Sequence, residues 1–214
     1  MDSPRPVLGI LGAGKLGIAI AQLALKVSYA VFIAGSSTAE KIKLSIEILT
    51  PGAIAVTAED AIRRSDIVIL ALPLSKYRNL PVDLLKGKLV IDAMNYWWEV
   101  DGSISELESA SSSSEMVQHF LPQSRVVKAF SHIGYHHLLD DARPLGVTDR
   151  KAMAIAGNNV TDVQIVACIV SDLGFDPVLI GNLADGKILE PGTPLFGASI
   201  NEVTMRKLAG LDNK

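Results

Sequence analysis

Val7-Leu8-Gly9-Ile10-Leu11-Gly12-Ala13-Gly14-Lys15-Leu16-Gly17 runs from a short apolar segment through three glycines spaced as G-x-G-x-x-G, and an apolar helical pattern from Leu16 to Lys26 follows at once. A strand, a glycine turn and a helix in that order make a cradle for an anion. Gly12 suits the tight turn, Gly14 leaves room for the close approach of a pyrophosphate, and Gly17 lets the helix lie against the strand. The helix N-terminus then presents free backbone N–H groups and the positive end of its dipole. A glycine turn without a ligand is the alternative, but three glycines weaken a helix start with nothing to compensate. Gly12, Ala13, Gly14, Lys15, Leu16 and Gly17 are therefore expected to hold a dinucleotide.

Outward from this stretch, short β-branched and aliphatic runs alternate with helical patterns. The strands expected are Val7 to Leu11, Ala30 to Ala34, Ala53 to Val56, Ile67 to Leu72, Leu89 to Ala93, Val126 to Phe130, Ala152 to Ala156 and Val178 to Ile180. Helices are expected near Leu16 to Lys26, Ala39 to Leu49, Ala58 to Arg63 and Val163 to Leu173, with a longer one ending near Phe120 and another at the C-terminus. Thr57 stands at an N-cap position, and Gly174 suits the left-handed residue that ends a helix. The serine run Ser111 to Ser114 reads as a surface loop or a poor helical turn. This alternation implies an α/β chain of the Rossmann type, a doubly wound and mostly parallel sheet. It is expected to form a single domain over 1–214, with a core of about 1–131 and a short C-terminal α/β extension of about 132–214.

With 49% apolar and 20% charged residues and a net charge of −3, the chain has a globular balance and offers no broad basic face to nucleic acid. Its apolar runs fall far short of the roughly 20 residues needed to span a bilayer. Met1 to Pro6 carries an acidic residue and two prolines where an export signal needs a basic and then an apolar stretch. Cys168, the only cysteine, lies in the apolar run Val166 to Val170 and reads as a core residue. The expected compartment is the cytoplasm.

A strand end about 20 residues past the glycines usually carries Asp or Glu when the ribose 2′-hydroxyl is to be bound. Here it reads Ala34-Gly35-Ser36-Ser37-Thr38. No carboxylate stands there to repel a 2′-phosphate, so NADP(H) is expected, with Ser36, Ser37, Thr38 and Lys41 as its contacts. The same hydroxyls also suit a turn and helix cap, and Lys43 reads as a solvated lysine.

On these residues the chain resembles the NADPH-dependent coenzyme F420 reductases and, more broadly, the predicted dinucleotide-binding reductases related to the cytosolic domain of the STEAP metalloreductases. The resemblance extends to Gly35-Ser36, Leu72-Pro73, Ile91-Asp92-Ala93-Met94-Asn95, Val126-Val127-Lys128-Ala129-Phe130, Leu173-Gly174-Phe175-Asp176-Pro177 and Leu189-Glu190-Pro191-Gly192-Thr193-Pro194-Leu195. It implies a homodimeric enzyme in which a deazaflavin stacks near the nicotinamide. Ala71, Leu72 and Pro73 would then lie beside ribose and pyrophosphate, and Ala93 and Asn95 near the nicotinamide.

Two clusters are candidates for the second binding site. Tyr96-Trp97-Trp98 holds both tryptophans of the chain, and Trp97 and Trp98 could wall in a flat ring; a packing corner or dimer contact is the alternative. Ser131 and His132 follow the sixth strand, and a protonated His132 could stabilise the charge that hydride arrival creates. His132, His136 and His137 lack the further ligands of a metal site, and none is expected. The function expected is hydride transfer between NADP(H) and a deazaflavin. A flavin, quinone, small carbonyl or imine acceptor is a second possibility, and a binding protein that senses NADP without turnover a third.

Overall fold

The protein is described from a computed structural model that covers residues 5–108 and 110–211. Its eight strands are β1 (Leu8–Leu11), β2 (Val31–Ala34), β3 (Ile54–Ala55), β4 (Ile67–Leu70), β5 (Leu89–Asp92), β6 (Arg125–Lys128), β7 (Ala152–Gly157) and β8 (Asp176–Gly181). They form one sheet in the order β3-β2-β1-β4-β5-β6-β7-β8. β1 to β6 are parallel, β7 runs antiparallel to β6, and β8 is parallel to β7. All eight expected strands are present, and the Rossmann-type, mostly parallel sheet is as the sequence implied.

The helices are α1 (Lys15–Lys26), α2 (Ala39–Leu49), α3 (Ala58–Arg64), α4 (Val82–Leu85), α5 (Trp98–Asp101), α6 (Ser113–Phe120), α7 (Tyr135–Asp141), α8 (Val160–Asp172) and α9 (Glu202–Leu208). None is long and apolar enough to cross a membrane among the described residues. Leu8 and Ile10 of β1 pack into one core with Ile20 and Leu23 of α1 and Val166 and Ile169 of α8. Leu11 faces the other core, with Ile62 of α3 and Val117 of α6. Burial on both faces explains why the inner strands β1, β4 and β7 are apolar throughout rather than alternating.

Caps behave as their chemistry requires: the Thr57 hydroxyl accepts from Asp60 N at 3.2 Å, and Gly174 takes φ +106° after α8. Three expectations are revised. The helix ending at Phe120 is only eight residues long. Cys168 is exposed, because α8 turns Gln164, Ile165 and Cys168 outward and buries Val163, Val166, Ile169 and Val170. The serine run is the helical turn rather than the surface loop: Ser112 caps α6, Ser113 and Ser114 open it, and all three are buried.

Those serines belong to a polar cluster between the sheet and the C-terminal extension. Lys128 and Asp92, both fully buried, stand 3.5 Å apart at the ends of β6 and β5. The Lys128 ammonium donates to Met94 O at 2.8 Å, to Asp92 Oδ2 and to Ser113 Oγ, so each of its three N–H bonds has an acceptor. Asp92 also accepts from Met94 N and from Ser114 Oγ at 2.6 Å. Ser112 Oγ donates to Leu183 O, and Ser113 N to Glu190 Oε1, which carries the cluster into the extension.

His132 makes a second tie to the extension. Its Nε2 accepts from Ala154 N of β7 at 3.0 Å, and its carbonyl accepts from Gly197 N at 2.6 Å. Burial lowers the imidazole pKa to about 4, with the Ala198 backbone opposing this more weakly.

Both ties predict measurable stability effects. Lys128→Met leaves the Asp92 carboxylate buried without its countercharge and should cost about 3–5 kcal/mol in urea unfolding; a loss below about 1 kcal/mol would show the pair to be dispensable. For His132, the unfolded state binds a proton that the folded state refuses, so stability falls as pH drops from 6.5 towards about 4. The total loss should be about 3 kcal/mol at most, at ~1.4 kcal/mol per pH unit. His132→Gln keeps an acceptor but cannot titrate, and its unfolding free energy should be flatter over that window than the parent's.

Candidate functional site

The chain passes from β1 to β2 and β3 on one side, then crosses to β4 on the other. This reversal opens a crevice at the carboxyl ends of β1 and β4, where ligands of open parallel sheets bind. Two lobes of about 630 and 620 Å³ meet there, and both are lined by Gly14, Ala71, Leu72 and Pro73.

The three glycines of the turn have separate reasons. At Gly12, with φ +125°, a Cβ would stand 2.1 Å from Ala71 O. At Gly17 it would stand 1.9 Å from Gly12 O, which is the close approach of α1 to the turn. At Gly14 a Cβ would meet nothing within 4 Å, and the backbone is extended at φ −85°, ψ −173°. Gly14 is also the N-cap of α1, with no side-chain cap and no acidic residue in the first turn. The positive end of a twelve-residue helix thus faces the junction of the lobes.

The first lobe lies between the β2–α2 turn and the segment after β4. Gly12, Ala13, Gly35, Ser36, Ile42 and Ala58 line it on one side, and Lys76, Asn79, Leu80 and Pro81 on the other. Of the hydroxyls expected at the second strand's end, only Ser36 reaches it. Ser37 and Thr38 are exposed at the start of α2 and Lys41 is exposed in its first turn, none of them on the lobe wall, because α2 turns them outward. Thr38 instead hydrogen-bonds Glu40, whose carboxyl is held below the usual range by its own backbone N–H first and by Thr38 second.

The second lobe is aromatic. Lys15, Leu16, Ala93, Asn95, Trp97, Ser131 and His132 line it, together with Met94, Phe130, Tyr135, His136 and Phe196. Trp97, 48% exposed, meets Phe196 edge to face with centroids 5.4 Å apart. Trp98 does not line the lobe. It is 64% exposed on α5, since the chain turns helical there and the two indoles diverge. Lys15 Nζ donates to Tyr135 Oη at 3.1 Å and stands 5.1 Å from that ring's centroid, linking α1 to α7 at the lobe's edge.

Polar groups on the wall are few and mostly committed. Asp101 Oδ1 accepts from Ser75 N and Oδ2 from Trp97 N, both at 2.8 Å. Asn95 Nδ2 donates to Ser131 O, while Asn95 Oδ1 and Ser131 Oγ are buried without partners. Phe130 sits at φ +62°, a costly conformation for a bulky residue, directly before Ser131. His132 lies on the wall, but its ring is neutral at neutral pH and Nε2 is occupied by Ala154 N. The expected protonated donor is therefore replaced by a neutral, anchored imidazole. The three histidines do not converge: His137 leans 3.6 Å from Asp141, and no group of three metal-ligating side chains occurs among the described residues.

Tyr135, His136, Phe196 and Lys76 were not legible as site residues. Phe196 arrives from the extension, and Gly197 N on His132 O seats it. Lys76 had a local signal, the apolar spacing Leu74, Tyr77, Leu80, which leaves Lys76 and Asn79 on another face.

Comparisons with known proteins agree with this architecture. The family model described as NADP oxidoreductase coenzyme F420-dependent matches residues 7–96. The F420-dependent NADP reductase of Methanocaldococcus jannaschii is 29% identical over 155 residues, covering 64% of this chain and 63% of that protein. Metalloreductase STEAP2 of Mus musculus is 26% identical over 193 residues, 88% of this chain but 36% of that protein. The chain thus spans less than two thirds of either relative. A solved structure of a hypothetical protein from Sinorhizobium meliloti superposes with a TM-score of 0.81 at 27% identity, covering 92% of this chain and 96% of that one. Through residues 7–96, from β1 to the turn after β5, the chain is similar to the family described as NADP oxidoreductase coenzyme F420-dependent.

Proposed function

We propose that this protein binds NADP(H) across both lobes and transfers a hydride between its nicotinamide and a planar acceptor, a deazaflavin of the coenzyme F420 kind or a similar ring. The observation that carries the reading is Gly14. Nothing in the protein excludes a side chain there and its backbone is unstrained, yet it is glycine, at a helix N-terminus, where the lobes meet. A pyrophosphate at that point accounts for the missing side chain. The adenosine half then falls in the lobe with Ser36, and the nicotinamide half in the lobe with Ala93 and Asn95.

When bound, NADPH supplies the hydride equivalent. The protein's part is orientation and exclusion of water. Trp97 and Phe196 give the acceptor an aromatic wall, and the two ties of His132 hold the Phe196 segment against β7. Asp101 is occupied by two backbone N–H groups and His132 is neutral, so neither is assigned a proton transfer. The unpartnered Asn95 Oδ1 and Ser131 Oγ are the groups suited to an amide or imide edge of a ring.

Gly14→Val should abolish NADPH binding in titration while leaving the urea unfolding midpoint near the parent's; retained affinity in the folded variant would remove the basis of this reading.

Acceptor reduction is followed by loss of NADPH absorbance with a deazaflavin or flavin present. Trp97→Ala should lower kcat/KM for the acceptor about two- to tenfold, the worth of one aromatic contact, with the NADPH dissociation constant little changed. Trp98→Ala should leave both near the parent's values. Equal effects of the two substitutions would contradict the assignment of the wall to Trp97.

A further inference from the structure

We infer that Lys76 is the residue that selects NADP(H) over NAD(H), reading the 2′-phosphate from the β4 side of the crevice. The inference rests on the nucleotide placement proposed above and adds to it the cation that the placement lacks.

A 2′-phosphate carries up to two negative charges and needs more than hydroxyls to offset them. Among the described residues, Ser36 is the one polar side chain that the β2–α2 side supplies to the lobe wall. Lys41 does not line it, and Lys43 is turned to Glu47 at 3.8 Å on the outer face of α2. Glu40 in the first turn of α2 adds a negative charge to that region. Across the lobe, Lys76 is the one charged side chain on its wall among the described residues.

The backbone explains why Lys76, itself exposed to solvent, stands on the lobe wall. Leu74–Asn79 is a 3₁₀ turn, whose side chains repeat every three residues. Leu74, Tyr77 and Leu80 are buried at that spacing, with Tyr77 edge to face on Phe120 at 5.2 Å. Lys76 and Asn79 share the next row and both line the adenosine lobe. Two further bonds fix the turn: Lys76 N donates to Pro73 O at 3.0 Å, and Ser75 N donates to Asp101. Lys76 is thus presented by a hydrogen-bonded turn across the lobe from Ser36, with no carboxylate on the lobe wall among the described residues.

The test is titration of the full chain with NADPH and NADH, for the parent, Lys76→Gln, Lys76→Glu and Lys41→Gln. Lys76→Gln should weaken NADPH about tenfold or more, the loss expected for one charge-assisted contact, and NADH less than about twofold. Lys76→Glu should weaken NADPH further and bring the two nucleotides to parity or reverse them. The NADPH preference of the parent should shrink with added salt, and that of Lys76→Gln should respond less. If Lys76→Gln preserves the preference, or if Lys41→Gln removes it instead, the inference is overturned while the nucleotide site stands. If the parent binds neither nucleotide, the proposed function itself fails, and this inference with it.

Discussion

The buried Lys128–Asp92 pair is the constraint around which the second half of the molecule is organised. Removing both charges from water is expensive, and their attraction at 3.5 Å does not by itself repay it. What makes the arrangement tolerable is that every donor of the ammonium has an acceptor and the carboxylate accepts from three partners. Those partners come from β5, β6, the turn after β5 and α6. The pair can be satisfied only when all four are in place, so it fixes the carboxyl ends of two strands beneath the aromatic lobe. Ser113 and Glu190 then extend the same cluster to the C-terminal segment that brings Phe196 to the wall.

A division of labour follows between the two halves of the sheet. The β1–α1–β2 unit would meet the proposed nucleotide with backbone: a helix N-terminus, a turn with two sterically required glycines and a third whose position is open. Such a site depends little on side-chain identity. The β5–β6 side depends on side chains, with a strained Phe130, unpartnered Asn95 and Ser131 atoms and an anchored neutral histidine around the lobe. Strain and unmet hydrogen-bonding capacity gather where a second molecule would be held, in keeping with functional sites elsewhere. The 3₁₀ turn after β4 spans the two halves, since Lys76 faces one lobe while Ser75 N–H is bound by Asp101 of the other.

The sequence by itself determined the strands, the phosphate loop and the helix that follows it. These are local matters: short β-branched runs bounded by turn residues favour strands, and the glycine spacing sets the turn whatever lies elsewhere. Ala39–Leu49 was legible to the residue for the same reason, between a polar start and Pro51. The tertiary structure alone decided which side chains face the crevice. Ser112, Ser113 and Ser114 look like a solvated loop until the extension covers them, and Phe196 and Tyr135 reach the wall across large sequence separations. β7 reads as a buried strand in either direction, and only its antiparallel pairing with β6 delivers Ala154 N to His132. Burial made an expected cationic donor neutral, and the Ala154 N–H made its Nε2 an acceptor; neither the burial nor the partner is written in the neighbouring residues.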